Sequence, residues 1–171
     1  MQINFPLCMR WLLQHEGGFS NHPEDPGGAT MLGVTKATYE DYIGRSVTID
    51  ELKALTQEDV EPTYRTRYWN ACQADSLPSG VDWMAFDWAV NSGPKRASQA
   101  LQRAVGSRAD GIVGPKTLDA VARCNDLETI GKIYEEREAF YRALTTFPTF
   151  GRGWLRRNDE TMNQSISLAH R

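Results

Sequence analysis

Long apolar runs are missing from this 171-residue chain, and no stretch approaches the ~20 apolar residues that a membrane-spanning helix needs, so stable membrane insertion is not expected. Charge of one sign is scarce as well. Nineteen Lys and Arg stand against twenty-two Asp and Glu, for a formal net charge of −3, which argues against a nucleic-acid partner or an anionic membrane surface. Cysteine is rare: Cys8, Cys72 and Cys124 are odd in number and form no CxxC pair. Buried reduced thiols are therefore expected rather than a disulfide framework. Alternating apolar and polar residues never run beyond four positions, a short "VTI" at Val47 being the one candidate strand. There is no Ser/His/Asp order and no phosphate-binding glycine loop. His15, His22, Glu24 and Asp25 match no metal-ligand spacing, so neither a metal nor a cofactor is expected. The N-terminus "MQINFPLCMRWLLQHEGG" is interrupted by Arg10 and shows neither a basic leader nor a small-residue cleavage site, so synthesis in the cytoplasm without a signal peptide is expected.

Helical periodicity is what the chain has instead. Phe5, Met9, Leu12 and Leu13, widened by Leu7 and Trp11, predict a helix over about 6–16 that Gly17-Gly18 ends. Thr35 is placed to cap "KATYEDYI", which Gly44 closes. Asp50 is placed to cap a short "ELKAL" turn. Thr56 with Asp59 makes a capping-box pattern before "QEDVEPTYRTRYWNAC", where Pro62 is expected to kink or restart the helix. "VDWMAFDWAVNSG" is apolar nearly all round, as a buried central helix is. Pro94 and Pro115 sit where helices begin. "DLETIGKIYEEREAFYRAL" reads as amphipathic, with charges around Glu135 and Arg137 on its wet face, and a last helix runs from about Gly153. Three arginines around a tryptophan in "GRGWLRRN" read as a solvated helix face ahead of a ligand grip. The fold class is all-α, mainly helical, with room for a small β-hairpin in the 17–34 loop.

"HEGGFSNHPEDPGGATMLGVT", His15 to Thr35, breaks the pattern. Five glycines, two prolines, three carboxylates and two histidines in twenty-one residues make a shaped loop, and long loops in small domains are usually functional or disordered. Glu16 stands at the C-terminal end of the first helix, where unpaired carbonyls concentrate negative charge. Trp11, Leu12 and Phe19 offer it apolar surroundings. Both effects disfavour a carboxylate and predict a raised pKa, as a general acid needs, while a solvated helix-end Glu is the plain alternative. Asp25 follows nine positions later, beside "PGG". Glycoside hydrolysis uses two carboxyl groups across the scissile bond, one protonated and one ionised, and a loop doubling back brings Asp25 opposite Glu16. Glu24 is a spare base. Thr30 and Thr35 offer hydroxyls to a water or a sugar, with turn bonding and helix capping as their plain roles.

The same stretch resembles the N-terminal signature of glycoside hydrolase family 108, phage and bacterial N-acetylmuramidases with an E-G-G-[YF]-x-N segment followed by D-P-G-G-x-T-x-x-G-[IV]-T. "YRTRYWNACQADSLPSGVDWMAFDWAVNSGP" continues the likeness, and "ALQRAVGSRADGIVGPKTLDAV" with "FGRGWLRR" resembles the predicted peptidoglycan-binding module that usually follows. The resemblance implies a lysozyme-like catalytic region over 1–93 and a helical peptidoglycan-binding region over 94–171, which in so short a chain can close as one unit. It implies cleavage of the β-1,4 bond between N-acetylmuramic acid and N-acetylglucosamine, with Glu16 as acid and Asp25 as second carboxylate. Many phage lysozymes space Glu, eight residues, Asp, five residues, Thr. Here only four residues separate Asp25 from Thr30, which leaves Thr35 as the other assisting threonine.

Four further residues complete the expected site. Thr35, Asn21, Tyr39 and Asn91 are substrate-binding candidates, and Asn91 shares a helix face with Asp87. That pair would hydrogen-bond a sugar N-acetyl group, or else hold the loop in place from a buried position. Tyr39 and Trp69 would stack on sugars, or else pack in the core. The expected role is a phage endolysin, a monomer acting on peptidoglycan glycan strands in the periplasm after release or export. A secretion-linked bacterial muramidase is the other setting. A lytic transglycosylase, which needs one Glu alone, and a non-enzymatic wall-binding module are the alternative functions.

Overall fold

Three threonines turn the chain into helices in the same way. The side-chain oxygens of Thr35, Thr48 and Thr56 accept the backbone N–H groups of Thr38, Glu51 and Asp59, each cap being worth about 1 kcal/mol. The computed structural model describes residues 4–21 and 28–171. Its elements are α1 (Phe5–His15), the strands β1 (Thr30–Met31) and β2 (Val34–Thr35), then α2 (Lys36–Ile43), α3 (Ile49–Lys53), α4 (Gln57–Tyr64), α5 (Val81–Ser92), α6 (Pro94–Ala104), α7 (Pro115–Val121), α8 (Asp126–Arg142) and α9 (Phe147–Ala169). A π-helical turn over Arg65–Trp69 follows α4 directly. The class is mainly α, as the periodicity predicts, and the hairpin closes the loop at its C-terminal end with Thr30 opposite Thr35 and Met31 opposite Val34.

Local details depart from the sequence expectations for identifiable reasons. Thr48, not Asp50, caps α3, because Glu51 stands at its third position and returns a bond to the Thr48 N–H, completing a capping box. "VTI" is no strand: the Val47 N–H donates to the Glu40 carboxylate at 2.8 Å instead. α4 runs through Pro62 before widening into the π turn. α9 starts six residues before Gly153, with Pro148 in its first turn.

The chain divides into two compact units, Phe5–Thr66 and the remainder, Asn4 with Arg67–Arg171. In the larger one α5 is the axis. Every residue from Val81 to Ala89 is buried, and α6, α8 and α9 pack around it. Leu101, Val105, Ile130 and Ile133 close the core against Met84, Ala85 and Trp88. Cys72 lies inside this core, where burial pushes its thiol up to about 11. Asn4 joins the unit by donating to the buried Asp82 carboxylate at 2.7 Å.

Asp87 is the polar centre of that core. Its carboxylate accepts from Arg137 of α8 at 2.7 Å and from Arg157 of α9 at 2.8 Å, with the Thr161 hydroxyl at 3.2 Å. Asp87 and Arg137 are both wholly buried. The expectation that Arg137 lies on the wet face of α8 is thus overturned, and of the two readings of Asp87 the buried polar one holds, not the sugar ligand. Asp87 ties α5 to α8 and α9, and Asn91 adds a separate bond from the Tyr141 hydroxyl of α8. "GRGWLRRN" divides: Arg152 and Arg156 are exposed, and Arg157 turns inward. The exposed charges on α8 are instead paired in register, Glu128 with Lys132 and Glu138 with Arg142.

Burial alone would raise the Asp87 carboxyl, but the two guanidiniums and their hydrogen bonds outweigh it and hold the group well below the usual carboxylate range. Replacing Asp87 by Asn leaves Arg137 buried without its counter-charge and should lower the unfolding free energy by about 3–5 kcal/mol in urea titrations. Glu128→Gln, which breaks only an exposed pair, should leave the urea midpoint essentially where it is. A depressed folded pKa means that the Asp87 contribution is present above the unfolded value of about 3.9 and is lost as pH falls toward the folded one. The stability gap between wild type and Asp87→Asn should therefore stay constant from about pH 7 to 5 and narrow in stronger acid.

Candidate active site

Between β1 and β2 the chain reverses over two residues, and both have positive φ, 50° at Leu32 and 75° at Gly33. A two-residue hairpin turn of this hand matches strand twist but demands left-handed backbone. Glycine takes that conformation freely, while a leucine there carries roughly 1–2 kcal/mol of strain. Tyr64, from the end of α4, holds the turn: its hydroxyl donates to the Leu32 carbonyl at 2.8 Å. The Ala29 carbonyl also accepts from the Lys36 N–H at 2.8 Å, which pins the base of the hairpin.

Glu16 is delivered to this turn from the other side. It follows the last residue of α1, and its N–H still reaches the Leu12 carbonyl at 3.3 Å. A Cβ placed on Gly33 would lie 2.6 Å from Glu16 Oε2 and 2.5 Å from the Tyr64 hydroxyl. The half-buried Glu16 carboxyl thus rests on bare backbone, beside a phenol and at the negative end of a helix. Leu12 beneath is fully buried and Trp11 half-buried. Phe19 is 36% exposed, with the Lys53 ammonium 4.9 Å from its ring centre.

The other expected residues fall into three groups. Thr30 sits in β1, with its backbone bridged to Ser20 in both directions at 2.8 and 2.9 Å, and directly opposite Thr35. Cross-strand partners of this kind project to one face. Thr35 fills its helix-capping role, accepting from the Thr38 N–H at 3.1 Å and donating to the Thr38 hydroxyl at 2.9 Å. Tyr39 is half-buried on α2, where burial, then the charge of Asp59, pushes its phenol up. Asn21 is exposed at the edge of the loop. Asp25, Glu24 and His22 lie outside the described residues. Asn91 belongs to the larger unit, where it accepts from the Tyr141 hydroxyl at 2.7 Å. Trp69 is buried in that unit against Phe86. No cluster of metal-ligating side chains occurs among the described residues.

Sequence reasoning allowed for a hairpin in this loop but missed its left-handed Leu32 and the Tyr64 that braces it. Gly33 was visible as a glycine, but nothing local marks a tyrosine 31 positions later as its neighbour. Gly33→Ala should push a methyl group into both the Glu16 carboxyl and the Tyr64 hydroxyl. Any activity that depends on the position of the Glu16 carboxyl should fall about 100-fold, as a misplacement near 1 Å produces. The thermal midpoint should drop only about 2–8 °C. Cell-wall turbidity assays beside thermal melts check both.

Comparison with known proteins bears on the whole chain. Residues 9–93 match the family model described as Glycosyl hydrolase 108, and residues 96–159 match the one described as Predicted Peptidoglycan domain. A solved structure of Brucella abortus SagA is similar at 39% sequence identity and a TM-score of 0.90, over 100% of this chain and 98% of that one. No curated protein matches the sequence. The resemblance that began with a glycine-rich loop thus extends over the full length, and the chain belongs to glycosyl hydrolase family 108, a glycoside hydrolase of peptidoglycan.

Proposed function

We propose that the chain is an N-acetylmuramidase that hydrolyses the β-1,4 bond between N-acetylmuramic acid and N-acetylglucosamine, with Glu16 as its general acid. The observation that carries this reading is the seat of Glu16: a half-buried carboxyl at a helix end, against the Gly33 backbone and the Tyr64 hydroxyl. A glycine there lets the carboxyl and the phenol close onto the backbone of the turn. Protonated Glu16 donates to the glycosidic oxygen as the bond breaks toward an oxocarbenium-like state. Asp25, ionised, activates a water on the opposite sugar face, with Thr30 in β1 as the hydroxyl that helps hold it. Thr35, occupied as a cap, supports the hairpin on which Thr30 sits. Tyr39 and Asn21 are the substrate-binding residues of the same unit.

An Asp nine residues beyond the acid, beside a threonine, suits a positioned water and hence inversion. Proton NMR of the first products should show the α-anomer of the new reducing end, and an initial β-anomer would mean retention. The biological role we propose is that of a phage endolysin acting on the cell wall from the periplasmic side. In support stands the resemblance to a family that includes phage as well as bacterial muramidases, the bacterial, secretion-linked setting being the alternative. Producing the chain in a bacterial host and then permeabilising the inner membrane should bring abrupt lysis, absent with Glu16→Gln.

Mass spectrometry of digested peptidoglycan tests the chemistry. Wild type should release muropeptides ending in reducing N-acetylmuramic acid, and Glu16→Gln should release none. Ends of the 1,6-anhydro type, with activity intact in Asp25→Ala, would instead identify a lytic transglycosylase.

A further inference from the structure

The N-terminal turns of α9 carry more aromatic surface than the core uses. Phe150 is 54% exposed, and Trp154, one turn later, is half-buried. The Phe150 and Trp154 rings lie 5.8 Å apart at 33°, and the Trp154 and Tyr141 rings 5.4 Å apart at 31°. The rings therefore pack in sequence from the buried Tyr141 of α8 outward through Trp154 to Phe150 of α9. Gly151 keeps the arrangement compact, because a Cβ there would meet the Phe147 ring at 2.5 Å.

Beside these rings is a cavity of about 280 Å³ whose lining includes Asn91, Ser92, Arg96, Tyr141, Leu144 and Trp154. It is smaller than the roughly 300–1,000 Å³ pockets that take drug-sized ligands, and a single sugar ring is of the right order. Its polar groups are only partly spent. Asn91 Oδ1 accepts from Tyr141 and Ser92, whereas its amide Nδ2 makes no hydrogen bond among the described residues. Arg96 donates to the Ser92 carbonyl at 2.7 Å and lies 4.3 Å from the Phe140 ring centre. Its guanidinium has no carboxylate partner among the described residues.

A row of aromatic faces with donors at one edge fits a ligand with a flat C–H face and polar rim, which is a pyranose. The negative ring faces attract the polarised C–H groups, and Trp and Tyr combine large apolar area with few rotamers. We propose that Phe150 and Trp154, with the buried Tyr141 ring backing Trp154, form a stacking platform for one N-acetylated sugar of a peptidoglycan strand. Asn91 Nδ2 donates to the N-acetyl carbonyl, and Arg96 faces a carboxylate of the attached peptide. The proposal rests on the glycan-strand reading above, and is independent of which bond is cut.

The test is co-sedimentation of the full chain carrying Glu16→Gln with purified sacculi. Trp154→Ala and Phe150→Ala should each weaken binding about ten-fold, a change of the size aromatic contacts give, while Trp154→Phe should retain it. Peptide-free glycan strands should compete. Because Phe150 is exposed, its truncation should leave the thermal midpoint unchanged, so that lost binding is not lost folding. Parental binding by both alanine variants would overturn the platform, as would competition by free stem peptides but not by glycan. So would a loss confined to Arg96→Ala, which would mark an ionic contact. Sugar release by the wild type is scored separately: binding lost in the variants with no release by wild type would sink the muramidase and spare the platform.

Discussion

One carboxylate organises the larger unit. Asp87 is carried by the helix that is buried on all sides, and the two arginines that neutralise it come from α8 and α9. A buried ion pair adds little stability against a well-packed apolar core, but an incomplete one is very costly. The consequence is selection among packings: any arrangement of α8 or α9 that withdraws Arg137 or Arg157 strands a charge. Arg137 passes the constraint on, since its Nε also donates to Tyr141, whose hydroxyl donates to Asn91. A charge at the centre of the core thus fixes the orientation of groups at its edge, including those that line the aromatic cavity.

The smaller unit works through backbone rather than charge. Its hairpin has only two paired positions, too little to be stable alone. It is braced by the Ser20 bridge, the Thr35 cap and the Tyr64 hydroxyl. Those contacts allow a leucine to remain left-handed, and strain of this kind persists only where the surroundings over-determine it. The Glu16 carboxyl rests on the result. Its place is set by a braced turn, the kind of preorganisation on which the acid role proposed for it would draw.

The legible parts of the fold were those that local chemistry settles. Thr35, Gly44, Thr56, Pro94 and Pro115 mark helix ends as expected, because caps and prolines act within one turn of chain. Thr48 and Asp50 are both good caps, and only the reciprocal Glu51 bond separates them. Arg137 was illegible for a different reason. An arginine on an amphipathic helix reads as solvated unless its partner is known, and that partner stands 50 positions away. α9 begins six residues before the expected Gly153, with Pro148 in its first turn and Gly151 leaving room for the Phe147 ring. In the site, Glu16 was visible from its motif, while Leu32 and Tyr64 owe their roles to tertiary contact. The membership in glycosyl hydrolase family 108 rests on the same motif extended over the full chain.

The position of α5 has a further consequence, for inheritance. It falls within the Glycosyl hydrolase 108 match, yet the helices that bury it lie in and beyond the Predicted Peptidoglycan domain match. The two family regions meet near residues 93–96, while the compact units part at 66–67. A genetic crossover at the family border would strip the second region of its central helix and of the anion that both arginines need. The two regions can be passed on and diverge together, but they are not interchangeable cassettes unless α5 travels with the C-terminal part.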